Sequence, residues 1–283
     1  MNNSNNQRWD ALLPLLRLEG TGSQKFLHGQ TSADLMAAEK DSLLRSCWLS
    51  ATGRLRALLE IRLDKDGADV LVLAGNSNAV AKGFEQVIFP ADQVRLQPIN
   101  TIRRLQRLDQ LKPGQAPQVS LLLPDEPLPK HWAAMEQANK EQVERWRLKQ
   151  GLPLEPGEIN GDTNPFELGL AAWVSLSKGC YLGQETLAKL ANSGGIKQQL
   201  RYWQTDSPLA VGQKLITRQP KEGASNRAGV ITSAMQDPES TGSLGLALVR
   251  HQSLAEPELF EEEDSTKVCL SIPSGFEPPS RSD

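Results

Sequence analysis

Alternating apolar and polar positions predict antiparallel strands in the first half of the chain. Aliphatic runs at 43–49, 54–63 and 68–73 are joined by the turns Thr52-Gly53 and Asp66-Gly67, which is typical of a β-meander. Further strand-like runs follow at 94–99, 102–108 and 119–123. We therefore expect one mainly antiparallel sheet.

Helical spacing of apolar residues predicts the helices that cover this sheet. Ser23 and Ser32 are positioned to cap two short helices, and apolar residues recur at helical spacing over 77–88 until Pro90. A further amphipathic helix is predicted over 141–150.

The last third of the chain has short strand candidates, intervening turn residues and little helical periodicity. This pattern predicts a small β-barrel domain over 196–273, after a mixed α/β region over 1–195 that we expect to form two interleaved lobes. Residues 274–283 are polar and rich in proline, so we expect a disordered tail. The predicted barrel strands are 198–205, 214–218, 228–234, 243–250 and 267–272.

Composition and charge exclude several classes of function. With 31 Lys+Arg against 34 Asp+Glu, the net charge of −3 argues against a general binder of nucleic acid or anionic membranes. There is no run of 18 apolar residues, and the polar N-terminus lacks an apolar core. We therefore expect a cytoplasmic protein with reduced thiols and no membrane contact.

The most reactive chemistry lies in Lys178-Gly179-Cys180-Tyr181-Leu182-Gly183-Gln184-Glu185. Cysteine reacts as its thiolate, which is favoured by a neighbouring cation and by a helix N-terminus. Lys178 supplies the cation, and a helix is predicted over 183–191. The flanking glycines permit positive φ and the close approach of a flat ligand. The alternative is a buried structural cysteine in a glycine-rich turn, and residue chemistry alone leaves both interpretations open.

The other cysteines and the histidines do not extend this site. Cys47 and Cys269 are far from Cys180 in the sequence and no C-x-x-C pair occurs. The sequence therefore predicts no disulfide framework, no metal site and no self-contained iron–sulfur cluster. A nucleophilic pair between Cys180 and a histidine would require a tertiary contact. His28, on the first predicted helix, is more typical of a surface or capping histidine than of a catalyst.

The octapeptide resembles the K-G-C-Y-x-G-Q-E motif of the YgfZ-like folate-binding proteins. That family is related to the glycine-cleavage T-protein (aminomethyltransferase) and includes a mitochondrial iron–sulfur assembly factor. The segment Phe26-Leu27-His28-Gly29-Gln30-Thr31-Ser32-Ala33-Asp34-Leu35 is similar to the family motif F-L-x-G-Q-x-T-x-D, and Ala51-Thr52-Gly53-Arg54 to its hairpin glycine. Residues 147–153 resemble its R-x-x-x-G-x-P helix end. The resemblance spans roughly residues 10–272.

This resemblance implies an α+β, aminomethyltransferase-like fold. Mixed α/β lobes would surround a central cavity that takes tetrahydrofolate or a folate derivative, with the small barrel packed alongside. Residues 164–170 resemble the P-x-E-x-x-L segment whose glutamate recognises the pterin ring, a role that falls on Glu167. A carboxylate suits this role because it accepts two parallel N–H bonds. The structural alternative for Glu167 is a helix-start charge.

The resemblance also implies roles for the octapeptide. Cys180 would be the reactive thiol facing the folate cavity, with Lys178 favouring its thiolate and Gly179 and Gly183 shaping the loop. Tyr181 would stack or hydrogen-bond at the cavity. The next two side chains, Gln184 and Glu185, would bind backbone groups that hold the loop, although a first-turn glutamate also serves as a helix cap.

One catalytic group of the aminomethyltransferases is missing. They place an aspartate just after a glycine in an early hairpin, but the matching stretch here is Gly53-Arg54-Leu55-Arg56-Ala57-Leu58. Aminomethyl transfer needs proton handling or charge stabilisation near the amine. We therefore expect a folate-binding accessory factor rather than a classical enzyme. It would support assembly or repair of iron–sulfur clusters in particular enzymes, including tRNA-modifying ones.

The expected partners are folate and iron–sulfur client enzymes or assembly proteins, with tRNA contact as a weaker variant. Two alternatives stay open. The first is a folate-dependent aminomethyltransferase or other one-carbon transferase, and the second is an interaction scaffold in which Cys180 is structural.

Overall fold

The computed structural model describes residues 6–39, 42–218, 220, 225–238 and 240–280. The fold is α+β, as predicted, with a mixed first region and a closed C-terminal barrel. None of the helices within these ranges is long and apolar enough to cross a membrane.

The first region is built on an eight-stranded sheet. Its main path runs β2-β3-β4-β1-β6-β7, and the short strands β5 and β8 pair with β1. All of these pairs are antiparallel except that between β1 and β8. The meander β2-β3-β4 is confirmed. The strands are β1 Gln7–Glu19, β2 Leu43–Leu49, β3 Leu55–Asp64, β4 Gly67–Gly75, β5 Arg95–Leu96, β6 Asn100–Arg107, β7 Val119–Leu122 and β8 Glu136–Gln137.

Strand β1 was not predicted, although it lies in the middle of the sheet. Its 13 residues contain Pro14, and Leu12 is 60% exposed, so the period-two alternation of a half-buried strand is lost. Only near its end do Leu16 and Leu18 alternate as fully buried positions. The strand is held by its two long neighbours, β4 and β6.

The described residues include five α-helices. Four lie where apolar spacing predicts them, including α5, which starts directly after Gly183 and ends at the Gly194 C-cap. Between the sheet and the first two helices lies an apolar core in which Phe26 and Phe84 make an edge contact with centroids 5.8 Å apart. The helices are α1 Ser23–Gln30, α2 Ser77–Glu85, α3 Lys130–Ala133, α4 Lys140–Gln150 and α5 Gln184–Ser193.

The helix predicted to start at Ser32 does not form. The Ser32 hydroxyl donates to the carbonyl of Trp173 at 2.6 Å and accepts the N–H of Cys47 at 2.8 Å. Because these tertiary partners occupy the side chain, it cannot cap a helix. Residues after Ser32 form turns instead.

The C-terminal region is a closed six-stranded barrel in the order β10-β11-β12-β9-β14-β13. Five strands were predicted. The sixth, β13, was not predicted. It ends at Glu261, which is 1% exposed and accepts the N–H groups of Glu263 and Asp264. The strands are β9 Gln198–Thr205, β10 Lys214–Ile216, β11 Arg227–Gln236, β12 Ser243–Arg250, β13 Glu258–Glu261 and β14 Lys267–Ser271.

The prediction of a disordered tail from residue 274 is wrong for residues 274–277. Gly275 N donates to the carbonyl of Gln150, and Glu277 N donates to that of Gly169 at 2.8 Å. Phe276 is 7% exposed and packs where a side chain at Gly169 would lie. The segment therefore forms a wall between the sheet and the barrel. Residues 281–283 of the predicted tail lie outside the described residues.

Candidate functional site

The octapeptide forms a tight loop in front of α5. Gly183 has φ +84°, and a Cβ there would lie 2.6 Å from the Ser50 carbonyl oxygen. Gly53, which lies in the β2–β3 turn and has φ +71°, packs against Gly183. Glycine is required at both positions because the two backbones touch. By contrast, Gly179 does not adopt positive φ, so the prediction of a positive φ is wrong at this glycine.

Lys178 is buried and binds backbone rather than the thiol. Its ammonium donates to the carbonyl oxygens of His28, Thr31 and Ala33 at 2.5, 2.5 and 2.8 Å, which uses all three of its protons. Burial lowers the pKa of Lys178 to about 8. The ammonium therefore ties the loop to the end of α1, and it has no donor left for Cys180.

Cys180 is exposed, in contrast to the fully buried Cys47. The alternative of a buried structural cysteine at position 180 is therefore wrong. Among the described residues, no group of three or more His, Cys, Asp or Glu side chains is placed to hold a metal ion. Cys180 is thus a surface thiol at the mouth of the loop.

The remaining octapeptide side chains divide into structural and solvent-exposed groups. Gln184 donates to the carbonyls of Leu176 and Lys178 and so closes the loop. Tyr181 is 7% exposed within an apolar core, and its ring lies 4.5 Å from the Lys178 ammonium. Glu185 is exposed and pairs with Lys189 one helical turn along α5, so among the described residues it does not bind the loop backbone as expected.

A histidine approaches the loop from α1, which sequence reasoning did not place there. His28 Nε2 lies 3.8 Å from the position that a Cβ on Gly179 would take, and Nδ1 lies 3.5 Å from Asp34 Oδ1. Burial, and then the charge of Lys178, lower the pKa of His28, while Asp34 opposes them. The family-like motif around His28 was the available sequence signal for a role of this residue. Its approach to Gly179 is visible only in the folded structure.

Glu167 lies in a buried turn between the sheet and the barrel. Its Oε2 accepts the N–H of Asn164 at 3.0 Å, and Asn164 Oδ1 accepts the N–H groups of Phe166 and Glu167 in return. This pattern is that of a capping box, although only turns follow it. The carbonyl of Glu167 accepts the N–H of Leu200 and so connects the turn to β9.

A cleft of about 580 Å³ opens beside Glu167, and we call it the cationic cleft. Burial raises the pKa of Glu167, while the N–H of Asn164 and the charges of Arg54 and Lys197 oppose this rise. The cleft is lined by Arg54, Asp162, Glu167, Lys197, Gln198, Arg250, His251 and Gln252.

Cys180 and Glu167 do not share this cleft. Of the octapeptide, neither Cys180 nor Tyr181 belongs to its lining, so the prediction that the thiol faces the same cavity as Glu167 is wrong for the cationic cleft. The β2–β3 turn connects the two places. Gly53 touches the loop at Gly183, and Arg54 lines the cleft and donates to the Asp162 carbonyl.

No protein-family model matches the chain. It is 34% identical over 110 residues to the putative transferase At1g60990, chloroplastic, of Arabidopsis thaliana, a match to 39% of this chain and 24% of that protein. It is 28% identical over 135 residues to the mouse mitochondrial iron-sulfur cluster assembly factor IBA57, covering 45% and 35% of the two chains. The chain therefore spans only about a quarter to a third of these curated relatives.

Over nearly its whole length the fold matches that of a solved structure, the glycine cleavage system aminomethyltransferase T from Bartonella henselae. The TM-score is 0.73 at 20% identity, covering 96% of this chain and 88% of that one. The chain is thus similar in fold to an aminomethyltransferase, and in sequence to a YgfZ-family iron–sulfur cluster assembly factor.

In this YgfZ-like chain, the hairpin strand carries a carboxylate at Glu60, beyond the stretch 53–58. Glu60 is 1% exposed, and both of its oxygens accept hydrogen bonds from Arg104, at 2.6 and 2.7 Å. A carboxylate so paired is not free to handle protons at a ligand. Glu60 is thus not an available acid or base on this part of β3, and sequence reasoning missed the pair because its partners lie 44 residues apart.

Proposed function

We propose that this protein is a folate-binding accessory factor that supports the assembly or repair of iron–sulfur clusters in particular enzymes, including tRNA-modifying ones. The observation that carries the folate part is a buried carboxylate, Glu167, beside the cations of one cleft. A carboxylate accepts two parallel N–H bonds from the 2-aminopyrimidinone edge of a pterin. Cations match the carboxylates at the other end of a folate.

The lining of the cationic cleft fits tetrahydrofolate in chemistry. Glu167 would hold the pterin, while Lys197 and Arg250, for which no ion pair occurs within the described ranges, would hold the folate carboxylates. Its volume of about 580 Å³ lies in the range of small-molecule sites. When bound, tetrahydrofolate supplies one-carbon chemistry, and the protein supplies its orientation.

Isothermal titration with tetrahydrofolate tests this site. Glu167→Gln keeps the shape but replaces the charged acceptor, so we expect about tenfold to hundredfold weaker binding. Glu185→Gln is the matched control, since Glu185 is exposed on α5 and should leave the affinity unchanged. If Glu167→Gln and the wild type bind tetrahydrofolate with equal affinity, Glu167 does not recognise the pterin.

The iron–sulfur part is supported by the relative named as an iron-sulfur cluster assembly factor and by the exposure of Cys180. An exposed thiol is accessible to a client protein or to a cluster on that client. In cells that lack the protein, Cys180→Ser should fail to restore iron–sulfur enzyme activity under oxidative conditions. Cys269→Ser changes the other exposed cysteine and should restore it. Full restoration by both variants would favour the scaffold alternative.

The second candidate is a folate-dependent one-carbon transferase. The pairing of Glu60 with Arg104 disfavours it, because the transfer needs a free acid or base. Formation of methylenetetrahydrofolate from tetrahydrofolate and an aminomethyl donor would establish it. For tRNA contact, a gel-shift titration against salt is the test. Cytoplasmic location stays a prediction, since the relatives with a stated compartment are chloroplastic and mitochondrial.

A further inference from the structure

A second, smaller cavity of about 60 Å³ lies between the first sheet, α4 and the C-terminal wall. It shares no lining residue with the cationic cleft. Lys112, Gly114 and Gln115 belong to its lining and are exposed. We call it the polar cavity. Much of its lining is apolar, and the name refers to the polar and charged side chains among it, which include Arg45, Glu60, Arg104, Gln106, Lys112 and Gln150.

Three of the residues that line this cavity each carry a buried polar atom without a hydrogen-bond partner in the described part of the chain. These atoms are Arg104 Nη1, Gln106 Nε2 and Gln150 Oε1, on side chains of residues that are 2%, 2% and 6% exposed. Leaving a buried polar group unpaired costs about 1–3 kcal/mol, so native proteins rarely tolerate one, let alone three around a single space. The two donors and one acceptor therefore point to a bound molecule.

The charge around the cavity favours an anion. Arg104 is neutralised by its bidentate contact with Glu60. Arg45 stacks over Trp173 with its guanidinium 5.0 Å from the ring centroid, and no ion pair to it occurs within the described ranges. Glu60 and Glu277 act on Arg45 only through space. Arg45 thus remains a partly buried cation for which a ligand can supply the counter-charge.

Size limits the ligand to a few heavy atoms. One water needs about 10–15 Å³ of such volume, so 60 Å³ accommodates about four to six heavy atoms. We propose that the polar cavity binds a small 2-hydroxy or 2-amino carboxylate. Its carboxylate accepts from Arg104 and Gln106 beside the charge of Arg45, and its hydroxyl or ammonium donates to Gln150. This inference does not depend on folate binding in the cationic cleft.

Ligand-observed NMR titrations of the full chain test the proposal with glycolate, glycine, acetate and ethylene glycol. Glycolate or glycine should bind with a Kd of about 1 mM or tighter. Acetate lacks the donor for Gln150 and should bind about five- to tenfold more weakly. Ethylene glycol lacks the charge and should not bind. If neither glycolate nor glycine binds saturably, the three polar atoms serve ordered water only and the proposal is overturned.

Variants assign the binding to this cavity. Gln150→Leu should remove the advantage of glycolate over acetate while acetate binding stays the same, which a general loss of structure would not produce. Lys197→Ala removes a cation of the other cleft and should leave glycolate affinity unchanged. If Lys197→Ala abolishes glycolate binding, the site is the cationic cleft and the proposal fails.

Discussion

Lys178 and Thr31, 147 residues apart in the sequence, are joined by a 2.5 Å hydrogen bond from a buried ammonium to a backbone carbonyl. The same ammonium also binds the carbonyls of His28 and Ala33. The two family-like motifs, F-L-H-G-Q-T-S-A-D and K-G-C-Y-L-G-Q-E, therefore form one structural unit. Its lysine fixes the loop that presents Cys180.

Replacement of Lys178 by methionine should destabilise the protein by about 2–4 kcal/mol, because it leaves three carbonyl oxygens without their donor. Lys189→Met is the control. Lys189 is exposed and only pairs with Glu185 within α5, so the cost should be under about 0.5 kcal/mol. Urea unfolding measures both. Similar small losses in the two variants would show that the buried contacts add little.

The contribution of Lys178 should depend on pH above neutrality. Burial holds its pKa at about 8, below the ordinary 10.5. Below pH 8 both the folded and the unfolded lysine are protonated, so the contribution is constant. Between pH 8 and 10.5 the unfolded state binds more protons, so unfolding free energy rises with pH by at most about 1.4 kcal/mol per unit. The difference between wild type and Lys178→Met should therefore grow over this window, and a flat difference contradicts the shift.

Two glycines of the octapeptide should respond differently to alanine. At Gly183 the φ of +84° and the Ser50 oxygen 2.6 Å from the new Cβ predict a loss of about 2–4 kcal/mol. At Gly179 the nearest atom is His28 Nε2 at 3.8 Å and φ is not positive, so the loss should stay within about 0.5 kcal/mol. Thermal unfolding compares them. Equal losses would contradict the backbone contact at Gly183.

The three cysteines should separate by alkylation of the native protein. Cys180 and Cys269 are exposed, whereas Cys47 is fully buried and burial raises its pKa to about 12. Because the thiolate is the reactive form, iodoacetamide near pH 8 should label the first two and spare Cys47. Mass spectrometry of the labelled peptides reads this directly. Labelling of Cys47 before unfolding would contradict its burial.

Local signals predict much of the fold. Turn glycines and alternating aliphatic residues place β2, β3 and β4, and similar patterns place five of the six barrel strands. The octapeptide and its helix are also predictable, because Gly183 and Gly194 delimit α5. These elements are determined within a few residues of sequence, where propensity and periodicity apply.

Features set by distant partners could not be predicted. Ser32 resembles a helix cap, but its hydroxyl is hydrogen-bonded to the backbone of Trp173 and Cys47. Glu60 resembles any polar strand residue until Arg104 is placed beside it. The candidate site shows the same limit, since motifs identify Glu167 and Cys180 while only tertiary structure shows that Cys180 does not line the cationic cleft. Such relationships depend on strand order, which no local pattern encodes.

The C-terminal wall supplies the last prediction, at Phe276. Its ring is 7% exposed, fills the space above Gly169 and lies beneath Arg201 at 5.6 Å. Truncation to alanine removes this packing and should cost about 3–5 kcal/mol, the usual loss for a buried phenylalanine. Ile272→Ala changes a side chain that is 63% exposed and should cost less than about 0.5 kcal/mol. Guanidinium unfolding measures the free energy of unfolding of both variants. A packed segment predicts a much larger loss for Phe276→Ala than for Ile272→Ala, whereas a disordered tail predicts no difference between them.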